Sequence, residues 1–85
     1  MRESQRPQAA LGKAVHDLRE GRDLTQETLA EKAGLTGRTM SAIETGRANP
    51  TWATVRDIAA ALGVSISEIA KLAEKHEARE RRSRK

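Results

Sequence analysis

Few residues in this chain have the means to do chemistry, and Arg38 is foremost among them. Its guanidinium is a planar fork of N–H donors that suits a phosphate or the edge of a guanine. It stands in Thr36-Gly37-Arg38-Thr39-Met40-Ser41-Ala42-Ile43, where Met40 and Ile43 make an apolar stripe at helical spacing. Gly37, Arg38, Thr39, Ser41 and Ala42 fall away from that stripe. The other candidates come to little. His16 and His76 are far apart and there is no Cys, so no metal set with ordinary ligand spacing is expected. The His16-Asp17 pair and the scattered serines have no strand-to-helix nucleophile turn, and no glycine-rich phosphate loop is present. An enzyme is not expected, and no cofactor is implied.

The totals bound what can position Arg38. The chain has 85 residues, room for one core. It has no Phe or Tyr and a single Trp, so the core must come from Leu, Ile, Val, Ala and Met, which favours helices. No apolar run approaches the roughly 18 residues of a membrane span, and no signal-peptide apolar region opens the chain, so a cytoplasmic protein without membrane partners is expected. The net charge is +4, yet residues 74–85 hold six Lys/Arg against three Glu and leave the rest almost neutral. A nucleic-acid face would rest on how charge is arranged, not on its total.

Three regions follow in order. Residues 1–8 are polar with Pro7 and are expected to form a flexible arm; 9–73 carry the folded domain; 74–85 are a basic helix extension or tail, either phosphate-contacting or simply solvated. Leu11, Val15 and Leu18 give the first helical stripe, ending near Gly21-Arg22-Asp23. Then a capping pattern recurs. Thr25 sits between Leu24 and Leu29, Thr36 between Leu35 and Met40, and Ser65 between Val64 and Ile69, each an N-cap with a hydrophobic staple. Thr51 with Pro50 and Val55 is a looser version, and Glu68 completes a capping box with Ser65. Gly34, Gly46 and Gly63 fall where helix-ending glycines belong. Helices are expected at about 8–20, 26–33, 37–45, 52–62 and 66–80. The expected core is Leu11, Val15, Leu18, Leu29, Ala30, Ala33, Met40, Ile43, Val55, Ile58, Ala59, Leu62, Ile66, Ile69 and Leu72, in a compact all-α bundle. Trp52 is expected to pack partly buried or to lie at a dimer interface.

The second and third helices, joined at Gly34-Leu35-Thr36, have the form of a helix-turn-helix. Leu24-Thr25-Gln26-Glu27-Thr28-Leu29-Ala30, Gly34-Leu35-Thr36, Met40-Ser41-Ala42-Ile43-Glu44, Gly46-Arg47-Ala48-Asn49-Pro50 and Ala61-Leu62-Gly63-Val64 together resemble the lambda-repressor-like helix-turn-helix family, in its XRE/Cro-type branch. The resemblance spans about Leu11 to Leu72 and implies a five-helix domain whose third helix enters the major groove of double-stranded DNA. It implies base contacts from Gly37, Arg38, Thr39, Ser41 and Ala42, with Gly37 lacking the long polar side chain that relatives place there. It implies phosphate contacts from Gln26, Thr36, Thr45 and Arg47. Arg19 and Glu44 are expected to form a partly buried ion pair, with Arg19 also near phosphate. The implied function is a sequence-specific transcriptional regulator, a repressor, acting as a homodimer through Trp52, Ile66 and Leu72. Alternatives within the fold are an antitoxin with a toxin partner, a restriction-modification controller, or a protein-interaction module that has lost DNA binding.

Overall fold

The computed structural model describes residues 7–83 and forms five α-helices: α1 Pro7–Glu20, α2 Gln26–Ala33, α3 Gly37–Glu44, α4 Trp52–Leu62 and α5 Ile66–Ser83. No strand occurs among the described residues, and none of their helices is long and apolar enough to cross a membrane. Apart from Pro7 and Gln8, the expected arm lies outside the described residues. The starts follow from the caps. Thr25, Thr36 and Thr51 hold extended backbone angles, and each hydroxyl accepts the N–H of the residue three places on. That residue is a threonine every time, and each cap hydroxyl also donates to its oxygen, at 2.9–3.0 Å. Ser65 and Glu68 make the reciprocal capping box, at 3.1 and 3.0 Å.

The ends hold one correction. Left-handed glycines close α2 and α4 as expected, and α1 stops at Glu20 with Asp23 left-handed in the expected Gly21-Arg22-Asp23 turn. Helix α5 continues to Ser83, past the expected stop near residue 80.

Leu29, Ala30, Met40, Ile43, Ile58, Leu62 and Val15 form the main core between the first four helices. Ala14, Ala59 and Ile69 form a second cluster where α5 packs along α1, and Leu11, Leu18 and Val64 touch both. The first turn of α4 misses the core. Val55, expected inside, is only half-buried and packs on neither cluster, and Trp52 is 65% exposed. Helical spacing puts Val55 in phase with Leu62 and Trp52 in phase with Ala59, yet neither belongs to the two core clusters.

Gly12 sets how closely α1 approaches α3. A Cβ there would stand 2.3 Å from the Ile43 carbonyl oxygen and 2.7 Å from that of Glu44. Gly46, left-handed just past α3, would bring a Cβ to 3.0 Å from the Ala9 Cα. The two glycines let the start of α1 lie directly on the end of α3.

Gly12→Ala tests this with a change of sign. Helix propensity alone would stabilise the alanine by up to ~1 kcal/mol. The clash is with backbone, so the helices must part, and a net loss of about 1–3 kcal/mol is expected in urea denaturation. Gly37→Ala is the control: its Cβ would meet nothing closer than the Glu27 side chain at 3.5 Å, and it should be neutral or stabilising. A stabilised Gly12→Ala would show that the close approach is not needed.

Candidate nucleic-acid interface

Elements α1, α2 and α3 meet on one buried ion pair. Arg19, in the last turn of α1, and Glu44, the final residue of α3, are 9% and 7% exposed. Arg19 Nε donates to Glu44 Oε2 at 2.7 Å and Nη2 donates to Oε1 at 3.1 Å. Arg19 Nη1 donates to the Leu24 carbonyl at 2.7 Å, tying down the turn before α2. Gln26, the first residue of α2, donates from Nε2 to Glu44 Oε1 at 2.9 Å. His16 Nδ1 lies 3.1 Å from the same oxygen. Burial pushes the Glu44 carboxyl up, but hydrogen bonds from Arg19, Gln26 and His16, with the Arg19 charge, outweigh it and hold the group below its usual range. The hydrogen bond to Glu44 likewise raises Arg19, against the opposing effect of burial.

The first turn of α3 is a cluster of donors. Arg38 and Thr39 are exposed, and Gly37, Ser41 and Ala42 are half-exposed. Thr39 Oγ1 accepts a hydrogen bond from Thr36, so its own hydrogen remains free to be donated outward. The first backbone bond within this helix runs from Met40 N–H to the Thr36 carbonyl at 3.0 Å. The N–H groups of Gly37 and Arg38 precede it and have no partner among the described residues. No acidic side chain stands in this turn. A guanidinium, a hydroxyl hydrogen and two backbone N–H groups suit an acceptor-rich surface. The room for a Cβ at position 37 means that the fold itself does not demand glycine there.

The expected phosphate contacts separate into two groups. Thr36 Oγ1 accepts the Thr39 N–H at 3.1 Å and spends its hydrogen on the Thr39 hydroxyl. Thr45 Oγ1 donates to the Ser41 carbonyl at 2.9 Å and accepts from Arg47 Nε at 3.0 Å. Arg19 faces inward. These three use their donors inside the protein, whereas Gln26 keeps one amide hydrogen and Arg47 its terminal nitrogens, without a partner among the described residues. Trp52 is not the packing residue that was expected. Ile66 and Leu72 pack against the second cluster with their outer parts exposed. Among the described residues no group of three His, Cys, Asp or Glu could hold a metal. His16 and Gly12 were missed as parts of this arrangement. His16 was the more legible, since it stands three residues before Arg19 on the same helical face.

Comparisons with known proteins agree with this geometry. A family model described as a helix-turn-helix domain matches residues 10–72. The chain is 41% identical over 59 residues to the immunity repressor protein of Bacillus phage phi105; the match covers 69% of this chain and spans 41% of that protein's length. Among solved structures, the clp gene regulator ClgR of C. glutamicum superposes with a TM-score of 0.81 at 25% identity, covering 84% of this chain and 92% of that one. The restriction-modification controller protein C.AhdI of Aeromonas hydrophila gives a TM-score of 0.72 at 29% identity, over 73% of this chain and 94% of its own.

The ion pair makes two predictions. Arg19→Met leaves a buried carboxylate without its partner and should cost about 3–5 kcal/mol; adding Glu44→Leu should recover most of it. The Glu44 pKa is lowered by folding, so its contribution is present above the ordinary glutamate range and is lost as pH falls through the lowered value. The stability gap between the unmodified chain and Glu44→Gln, followed by denaturant titration from neutral pH downward, should narrow only in that acid window. A gap that stays constant would remove the pair from the account.

Proposed function

The chain belongs to the helix-turn-helix domain family, in its lambda-repressor-like branch, and from that premise we propose a repressor that reads double-stranded DNA with α3 in the major groove. Proteins of this family are DNA-binding transcription regulators and not enzymes. The observation that carries the finer reading is the donor cluster on the first turn of α3, facing outward on a helix whose other side is locked into the core. In this reading Arg38 binds O6 and N7 of a guanine, and Thr39 donates its free hydrogen to a neighbouring base. Ser41 adds a hydroxyl contact and the Ala42 methyl packs on a thymine methyl. Gly37 brings backbone N–H groups close to the duplex. Gln26 and Arg47 bind phosphates and set the register. Arg19, Glu44, Thr36 and Thr45 are positioning residues that hold those groups.

The protein acts as a homodimer on a pseudo-palindrome, because one domain of this size offers a small contact area and the fold reads half-sites about one helical turn apart. The exposed Trp52 and the outer parts of Ile66 and Leu72 are the proposed pairing surface. A second reading, a restriction-modification controller, is supported by the likeness to C.AhdI. It differs in target and not in mechanism: the enriched sequence would lie beside genes for a nuclease and a methyltransferase.

Selection from a random duplex pool tests the reading. A pseudo-palindromic sequence should be enriched, and Arg38→Ala should lose ~1–3 kcal/mol at one guanine position while leaving the other positions alone. Gln26→Ala should weaken all sequences about equally, with little change in salt dependence because the side chain is uncharged. No enrichment over shuffled DNA would sink the proposal.

A further inference from the structure

The geometry points to a second binding site for the DNA backbone, formed by Lys13 on α1 and Arg79 on α5. This inference rests on the DNA-binding reading above and deepens it. Helix α5 runs antiparallel to α1, and His76 Nε2 meets Asp17 Oδ2 at 2.7 Å. The antiparallel course carries the late turns of α5 back beside the early turns of α1. As a result two surface depressions share Lys13 and His76. One is bordered by Gln26, assigned above to phosphate, with Glu44 and Thr45, and the other by Arg79, Glu80 and Ser83. The two lie on either side of Lys13 and His76, one reaching to Gln26 and the other to the end of α5.

The charges along these depressions fit an anion. Asp17 is engaged by His76, and Glu44 is engaged by Arg19. Lys13 and Arg79 are exposed, and neither makes an ion pair among the described residues. Asp17, half-exposed beside His76, and Glu80 are the opposing carboxylates on the rim. Lys75 and Arg82, at helical spacing on either side of Arg79, put further positive charge along the same face of α5. A DNA strand whose phosphates pass Gln26 and Arg47 therefore continues along α1 onto Lys13 and Arg79. The ligand is a phosphate of the same bound duplex.

The test is the salt dependence of binding to the duplex enriched from the random pool, measured with the full chain. Each lost phosphate contact removes about 0.9 from the slope of log K against log salt, so Lys13→Gln with Arg79→Gln should flatten it by about two units. The charge-keeping pair Lys13→Arg with Arg79→Lys should retain the full slope. Arg56→Gln, an exposed charge on α4, should leave it unchanged. An unchanged slope in the double glutamine variant, with specific binding intact, overturns this site and leaves the proposed function standing. A loss in Arg56→Gln about half that of the double glutamine variant, equal charge for charge, also overturns it, since a general field would then account for both. Failure of the unmodified chain to bind any duplex overturns the proposed function and this site together.

Discussion

A guanidinium and a carboxylate buried together, Arg19 against Glu44, determine where the outward-facing groups of this domain come to lie. Such a pair contributes little net stability, because taking two charges out of water offsets most of their attraction. What it supplies is direction. The apolar contacts of Met40 and Ile43 hold α3 to the core, but the hydrophobic effect that drives them is not itself directional. The two-pronged bond fixes the end of α3 against α1, and the same guanidinium holds the Leu24 carbonyl at the entry to α2. Gly12 provides the complementary condition, since only without a side chain there can α1 come close enough for the bond to form.

The threonines around α3 extend this control to the surface. A hydroxyl has one hydrogen to give, and where it goes decides what the residue can do. Thr36 gives its hydrogen to Thr39, which frees that of Thr39. Thr45 gives its hydrogen to the last turn of the helix and receives Arg47, which aims the remaining guanidinium nitrogens outward. The residues that end the helix thus also present its flanking donors.

Much of this was legible in the sequence, and the rest was hidden for identifiable reasons. Caps and stops are local, so Thr25, Thr36, Thr51 and Ser65 marked the helix starts closely. Periodicity gives the phase of a helix but not how closely its neighbours pack, which is why Val55 was expected in the core and is only half-buried, and Trp52 was expected partly buried and is exposed. Gly12 carries no local signal: a glycine within a helix reads as a weakness until the facing backbone is known. The Arg19–Glu44 pair was expected from family resemblance, since nothing in the spacing of residues 19 and 44 announces contact. The division of the phosphate candidates could not be seen either, because choice among hydrogen-bond partners is settled only in three dimensions.

The placement of charge follows a physical logic of its own. Base reading works over hydrogen-bond distance and demands a rigid mount, and α3 has one in its buried pair and its core side chains. Attraction to phosphates acts over a Debye length and tolerates looser support. Beyond Ala73, α5 is anchored to α1 through the His76–Asp17 contact, and residues 74–85 hold six Lys/Arg against three Glu. A nearly neutral domain followed by a basic stretch at 74–85 can therefore alter its general affinity for DNA by changes in that stretch without disturbing the residues on α3 that select a sequence.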